Sequence, residues 1–562
     1  MDASLQLEIN IQLRYAPRMD VRKVIAELQT ALSVRDATDD RDARNLLRHQ
    51  FDSAVKRCRR ISNVSVALNM LDLFASLSSS CATKSIVVRT LDDDVANVLL
   101  TGLSMSIQKM DESLFEQMGV ADLPTIAHVV HILLSWAKVY KDSKVVHLAF
   151  CLQKLLCCSP TTLSSVFPGT YQAIIGVLLQ SDEQTQSNLA DYICLLFEML
   201  KLVVRFEKNK SEQWRCTAAR MLESSMLDLT NRYARSAICR IRQSLGVQSA
   251  SLLVNCPDVM LACQGRLLDV VATLVYDADP NVAEEVRLAA NDIFRNKFQS
   301  QMVFKLLECC DRLPLLSQNV FSSQQQMEYQ LLCGYVALLG QNGMRKFSLC
   351  ESHVETLVNS MLECIAVKLS PVIEYTVEEE FASKETCSSL PADSCVVLVI
   401  PEEPRAQELL KETIHMIGSF SDLQLLTEAL LQKTMNGRLK MEALYALNQS
   451  FLGALKCSNG AASDFAEITL QVALEEFSNP CKIPLIRILL LLEAMRCCSL
   501  TLKSNLLPYL LSGLYVALSL AGEHATKAPA ERVLASFAVA LVSSLLIRLR
   551  YHSLYPEIKL PP

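Results

Sequence analysis

The stretch from Val259 to Phe294, VMLACQGRLLDVVATLVYDADPNVAEEVRLAANDIF, sets the reading of the whole chain. Met260, Cys263, Leu267, Val271 and Leu274 recur at intervals of three and four, which places them on one face of a helix. The run Tyr276 to Asn281, YDADPN, then breaks the pattern. Asp279 is suited to cap a helix, because its carboxylate accepts from N–H groups that lack a partner in the first turn. Pro280 fits that turn because its missing N–H would be unpaired there anyway. Val282, Val286, Ala289, Ala290 and Ile293 then mark the inward face of a second helix.

A second copy lies downstream. Ser421 and Gln424 have capping-box spacing, and Leu423, Leu426 and Leu430 follow as an inner face. Met435-Asn436-Gly437 makes the turn, and Leu444, Leu447, Phe451 and Leu455 align on the next helix. Each unit is roughly forty residues, the size of a HEAT-type repeat. One helix pair cannot bury both of its faces, so each unit must stack on its neighbours. The expected fold is all-α, a HEAT/armadillo-like helical-repeat solenoid. Such a chain offers a surface for holding other proteins, without a pocket for chemistry.

Outward from these copies the chain divides as follows. Residues 1–42 are poorly defined, since the alternation from Leu5 to Ile11 fits a strand or a helix. Residues 43–370 read as a first block of helical repeats. Its helices include Asn63 to Leu77, Val95 to Ile107, Leu123 to Tyr140, Lys144 to Cys158 and Leu189 to Phe206. Ser211 to Leu229 follows, with Trp214, Ala218, Met221 and Leu222 inward, then Gln324 to Leu339 and His353 to Val367. Residues 371–404 contain four prolines, an acidic run at Glu378, Glu379 and Glu380, and many serines, which predicts a disordered connector. Excision of Thr376 to Glu403 is therefore expected to leave the helices intact. The apolar patch Val396 to Ile400 is the exception there, and is expected to dock. Residues 405–552 form a second block of repeats, and 553–562 a frayed tail.

The totals narrow the function classes. Hydrophobic residues make up 51% of 562, with only 15 glycines and 18 prolines, which suits long helices joined by short turns. A formal charge of -6 gives no general attraction to nucleic acid. The mean hydropathy of +0.23 raises the question of a membrane span. Ser504 to Gly522 is uncharged but interrupted by Asn505, Pro508, Ser512 and Ser519, and Val533 to Ile547 is short and fenced by Arg532 and Arg548. Leu485 to Met495 contains Arg487 and Glu493. All three read as buried helices of a stack. The 21 cysteines form no CxxC framework. The pairs Cys157-Cys158, Cys309-Cys310 and Cys497-Cys498 are expected at helix ends, and Cys263 and Cys333 on apolar faces, as reduced core-filling thiols. Reduced thiols point to cytoplasm, and to nucleus as a second compartment. The amino terminus MDASLQLEINIQLRY is too polar for a signal peptide.

Motifs that carry chemistry are missing. No GxxxxGK[ST], GxGxxG or GxSxG element occurs, so no catalytic, cofactor or metal residues are assigned and the chain is read as no enzyme. His128 and His131 share a helical face but have no acidic or thiol ligand at matching spacing. Gly334 and Gly340 read as packing glycines within a helix. Cys239 lies among Arg235, Arg240 and Arg242, which would lower its pKa if it is exposed. Two basic runs are solvated helix faces in the first instance: Lys56, Arg57, Arg59 and Arg60, and Arg232, Arg235, Arg240 and Arg242. Only Tyr233 is interleaved with them, too little aromatic surface for a nucleic-acid site. Arg232, Arg235, Arg240 and Arg242, with Glu378, Glu379 and Glu380, are the candidates for contact with a protein partner.

Several runs together resemble a known family. These are HVVHILLSWAKVYKDSKVVHLAFCLQKLL from His128, SVFPGTYQAI from Ser165, and LVYDADPNVAEEVRLAANDIF from Leu274. RAQELLKETIHMIGSF from Arg405, GRLKMEALYALNQSF from Gly437, and IRILLLLEAMRCCSLTLKSNLLPYLLSGLYVAL from Ile486 continue in the same order. Over roughly residues 90–552 the chain resembles the Tel-two-interacting protein one family, by spacing, length and the position of an extended loop more than by identity. The resemblance implies a HEAT-repeat scaffold of the Triple-T complex. It implies partners of the Tel-two and Tti-two type and the Hsp-ninety system. The clients it implies are PI3-kinase-related kinases of the TOR, ATM and ATR types. The family continues through a further block of repeats where this sequence stops, so a short isoform, an incomplete gene model or a divergent member is expected. The alternative is another HEAT/armadillo adaptor, such as a transport receptor or a chromosome-associated scaffold.

Overall fold

The computed structural model describes residues 63–79, 93–110, 112–118, 122–139, 189–206, 212–255, 261–290, 296–317, 322–369, 396–436, 438–456, 462–477 and 484–499, with scattered positions at 148–155, 171–179 and 508–519. Residues 1–42, the first basic run, Cys157-Cys158, the acidic run Glu378 to Glu380 and residues 553–562 lie outside them. Almost every described element is a helix. The chain divides into two compact units, one of residues 1–270 with 284–289 and one of residues 271–283 with 290–562.

In the first unit α1 (Val64–Ser79) packs on α2 (Asp93–Lys109), α3 (Glu112–Gln117) and α4 (Leu123–Val139). Further along, α5 (Leu189–Phe206) and α6 (Glu212–Tyr233) both pack on α7 (Cys239–Asn255). The opening stretch of sequence forms α8 (Leu261–Val275) and α9 (Pro280–Ala289) as its pattern predicts. Cys263, Leu267, Val271, Leu274, Val282, Val286 and Ala290 are buried, while Ala289 is half-buried. Met260 and Ile293 lie outside the described residues, as do the side chains of Trp214, Ala218, Met221 and Leu222. Asp279 caps α9, its Oδ1 accepting from the Asn281 N–H at 2.9 Å, and Asp279 N–H itself donates to Asp277 Oδ1 at 2.8 Å. Leu267 is 1% exposed, so Leu267→Asp places an unpaired carboxylate in apolar surroundings. The expected loss is at least about 3 kcal/mol, read as lost hydrogen-exchange protection along α8. Unchanged protection would show that the residue does not face the core.

The second unit shows the repeat most clearly. Its helices are α10 (Gln299–Ser317), α11 (Ser322–Ser348), α12 (Glu351–Glu363), α13 (Pro404–Phe420), α14 (Leu423–Asn436), α15 (Lys440–Lys456), α16 (Ala462–Phe477) and α17 (Leu485–Ser499). The even-numbered helices α10, α12, α14 and α16 stack side by side as one layer, and α11, α13, α15 and α17 stack as a second. Within a repeat, α10 packs on α11, α14 on α15 and α16 on α17. Apolar residues from both layers meet between them, including Leu306, Val336, Leu357, Ile414, Leu430, Leu447, Leu470 and Leu491, all buried.

Four details differ from the sequence reading. Asp422, not Ser421, caps α14: its Oδ1 accepts from the Gln424 N–H at 3.0 Å, while Ser421 closes α13 by donating its N–H to the Ile417 carbonyl at 2.9 Å. The Gln424 side chain turns forward to Glu428, so no reciprocal box forms. Gly334 is a packing glycine, but Gly340 is not. At φ 56° it breaks α11, and a Cβ there would meet nothing within 4 Å. Cys309 and Cys310 lie in the middle of α10, yet both are buried. Finally, the helix expected from His353 to Val367 ends at Glu363, and the next residues form β1 (Ala366–Leu369).

That strand pairs antiparallel with β2 (Val396–Ile400), the apolar patch of the connector, in the register Val367 to Leu398 and Leu369 to Val396. The ends of the connector are thus clipped together between α12 and α13, while residues 370–395 lie outside the described residues. Gln407 on α13 holds the clip, its Nε2 donating to the carbonyls of Leu398 at 3.1 Å and Pro401 at 2.7 Å. β1 rests against α15 and β2 against α17. Excising Thr376 to Glu403 therefore removes a strand and the residue that precedes α13, and is not neutral. Excision of 371–394 is expected to leave the thermal midpoint within about 2 °C, whereas excision through Glu403 lowers it, because Val367 and the adjoining faces lose their cover. Equal midpoints for the two deletions would show the clip to be dispensable.

Candidate functional site

The four arginines singled out from sequence cluster at the turn between α6 and α7. Arg232 stacks near the Tyr233 ring at 5.8 Å and donates to the Leu179 carbonyl. Tyr233, fully buried, donates its hydroxyl to the Leu178 carbonyl. Arg240 bonds Asp191 on α5 at 2.9 Å, and Arg242 folds back on the Ser236 carbonyl. Arg235 is exposed in the turn itself. The Arg232, Arg240 and Arg242 guanidiniums thus tie the α6–α7 turn to its surroundings. The Arg240 pair is largely in water and contributes well under about 1 kcal/mol. A polar seam runs beside it between α5 and α7, where Lys201 is held by Glu198 at 2.8 Å and Gln248 at 3.0 Å.

No group of three metal-ligating side chains occurs among the described residues, and His128 and His131 are both exposed on α4. No helix among the described residues is long and apolar enough to cross a membrane. The described cysteines are free thiols. Burial pushes Cys151, Cys263, Cys333 and Cys498 up to about 12. Cys239 is exposed, and its neighbours Arg240 and Arg242 bond Asp191 and the Ser236 carbonyl. Cys350, which precedes α12, is exposed as well. The Ser352 hydroxyl at 3.1 Å, and then the His353 N–H, favour its thiolate and lower its pKa. At a given pH Cys350 therefore carries more thiolate than an ordinary cysteine. Iodoacetamide at neutral pH is expected to alkylate Cys350 before the four buried thiols, as peptide mass spectrometry would show. Modification of Cys333 before Cys350 would contradict the packing of α11.

Sequence reading missed the exposed apolar side chains Phe304 and Leu315 on α10, 61% and 65% exposed. A signal was available: both fall on the face of α10 opposite Met302, Leu306, Cys309 and Leu313.

Stacked helix pairs, in two layers through the second unit and interrupted by one strand clip, define the class: an all-α helical-repeat solenoid of the HEAT/armadillo kind. No family model matches the chain, and none of the curated proteins matches it. Among solved structures, the chain is similar to Kap121p bound to Pho4p, at 10% identity and a TM-score of 0.30, over 95% of this chain and 56% of that one. It is also similar to importin beta in an ammonium sulfate condition, at 12% identity and a TM-score of 0.31, over 99% of this chain and 73% of that one. A third is a chain from work on a phosphorylation switch between cadherin and beta-catenin, at 11% identity and a TM-score of 0.31, over 94% of this chain and 100% of that one. The chain spans 56% of the length of the Kap121p chain it matches.

Proposed function

We propose that this chain is a non-catalytic scaffold that holds other proteins, and that it serves the Triple-T complex in the maturation of PI3-kinase-related kinases of the TOR, ATM and ATR types. One observation carries the scaffold part. Within the second unit helix pairs follow one another in two layers, so side chains on its successive helices are presented in order along a surface. Affinity on such a surface comes from a few anchors among many modest contacts.

The finer reading is supported by the sequence blocks that resemble the Tel-two-interacting protein one family. Of these, the run from Arg405 falls on α13 and most of the run from Gly437 falls on α15, and the extended connector between them and the first block carries the strand clip. Partners are then Tel-two- and Tti-two-type subunits, the client kinases and Hsp-ninety co-chaperones. Cytoplasm, with nucleus as a second location, suits the buried free thiols such as Cys309, Cys310 and Cys498. Tagged full-length chain purified from its own cells, with the associated proteins identified by mass spectrometry, tests this. Recovery of the Tel-two- and Tti-two-type subunits with a giant kinase is the expected result. A good yield of chain carrying nuclear-transport or chromosome-associated partners instead would replace the complex while keeping the scaffold.

A further inference from the structure

We propose that β2 is the internal occupant of a strand-binding surface, and that an extended, uncharged, β-branched segment of a partner protein takes its place beside β1 and against α17; this deepens the scaffold reading and rests on it. The surface lies within the second unit. From Ala443 to Phe451 every residue of α15 is buried, the polar Asn448, Gln449 and Ser450 included. A helix in one layer of a two-layer stack ordinarily leaves one face in water. Here β1 lies on α15 and β2 on α17, so the clip covers part of the layer that α11, α13, α15 and α17 form.

The two strands are held unequally. β1 follows α12 closely, and Cys364, Ile365 and Val367 are buried. Val396, Val397, Leu398 and Val399 of β2 are all half-buried. Cross-strand partners share a face of the ribbon. Buried Val367 stands opposite Leu398 and exposed Lys368 opposite Val397, so the first pair turns to the helices and the second to water. The chief ties of β2 are the ladder to β1, the contact with α17 and the two bonds from Gln407. A two-stranded ribbon is marginal by itself, and binding elements are drawn from the least stable parts of a fold. Hairpin links commonly run to about two to five residues. Here residues 370–395 separate the strands, so the link does not enforce their pairing.

The segment seated on the surface specifies what the surface accepts. The β1 edge offers main-chain N–H and C=O groups, which an extended strand satisfies and a helix, whose own groups are already paired, does not. Val396 to Ile400, VVLVI, carries no charge and is β-branched at every position but Leu398. A charged side chain at the Leu398 position would be desolvated against Val367. Gln407 donates only to the main-chain carbonyls of Leu398 and Pro401, which any extended segment supplies.

The probe is a labelled peptide of Val396 to Glu403, titrated by fluorescence anisotropy against the full chain and against the full chain bearing Leu398→Asp. The variant loosens its own β2, so it is expected to bind the peptide at least about tenfold more tightly than wild type, because less of it is closed by the internal strand. The peptide bearing the same Leu398→Asp change is expected not to bind either chain. Hydrogen exchange gives a second reading on the unaltered chain, so the test stands even where the variant fails to fold. There the β2 amides should exchange before those of α13 and α15, and excess peptide should protect β1 while β2 stays open. The proposal is overturned if β2 is protected as long as α15, if the peptide binds neither chain, or if it binds both equally. It is also overturned if sedimentation shows the peptide dissociating a dimer of wild type, which makes the occupant a second copy of this chain. Co-purification separates the two levels. Triple-T subunits recovered with a chain whose β2 never opens sink this surface alone. Peptide binding intact without those subunits sinks the complex assignment alone.

Discussion

Gly418→Val is expected to destabilise the α13–α15 pair by about 3 kcal/mol, the upper end of the usual range for overpacking. A Cβ at Gly418 would sit 2.1 Å from the Ser450 carbonyl oxygen, and one at Gly453 would sit 2.0 Å from the His415 carbonyl oxygen. Both obstacles are backbone, so neither can rotate aside; the helices must separate instead. Separation stretches the bonds that close approach permits, from Ser419 Oγ to the Gly453 carbonyl at 2.6 Å and between His415 Nε2 and Gln449 Oε1 at 2.8 Å. The measurement is hydrogen exchange resolved by segment, because a repeat chain of this length need not unfold in one step. Protection should fall across α13 and α15 while α5 and α7 keep theirs. Gly418→Val with α13 and α15 fully protected would show that the two helices do not lie this close. Gly334, where a Cβ would meet the Ala272 carbonyl oxygen at 1.8 Å, makes the same prediction for α11.

Arg487→Ala is expected to have an effect of similar size for an electrostatic reason. The Arg487 side chain on α17 is 9% exposed and is shared among three neighbouring helices. Its Nε donates to Glu476 Oε2 of α16 at 2.6 Å, and its Nη2 donates to the other Glu476 oxygen and to the Thr434 carbonyl of α14 at 3.2 Å. The Nη1 group reaches the Lys440 carbonyl at the start of α15 at 3.5 Å. Truncation leaves the carboxylate and two carbonyls without their donor, which costs about 3 kcal/mol; the partial exposure of Glu476 keeps the figure at the lower end. Replacing both partners by methionine is expected to recover most of the loss, since the orphaned carboxylate is then gone. The account fails if the single variant melts like wild type, or if the double variant is no better than the single one.

Neither effect could be read from the sequence with its partner attached. Gly418 was one glycine in a helical pattern, and Arg487 appeared only as a charge that argued against a membrane span. Their partners lie 32 and 11 or more residues away, and helical periodicity carries no information about which turn of one helix meets which turn of the next. The same limit explains the mistaken cap. Ser421 and Asp422 are both good capping residues, and the choice fell to Asp422 because Ser421 ends α13. The strand clip was missed on its first side for another reason: Ala366 to Leu369 is too short to show alternation, and pairing with Val396 to Ile400 spans a long connector.

What the sequence determined by itself was local and repetitive. Apolar residues three and four apart fixed the faces of α8, α9, α14 and α15. Asp279-Pro280 fixed one helix start, and the recurrence of such pairs fixed the class of fold. Those features depend on residues within a turn or two of each other, where backbone geometry dictates who is a neighbour. The tertiary structure alone decided the register between helices, the backbone approach at Gly418 and Gly453, the acceptors of Arg487 and which side chains of α10 remain in water. These are set by packing between segments far apart in the chain, where shape and satisfied hydrogen bonds select one arrangement from many that the same pattern allows.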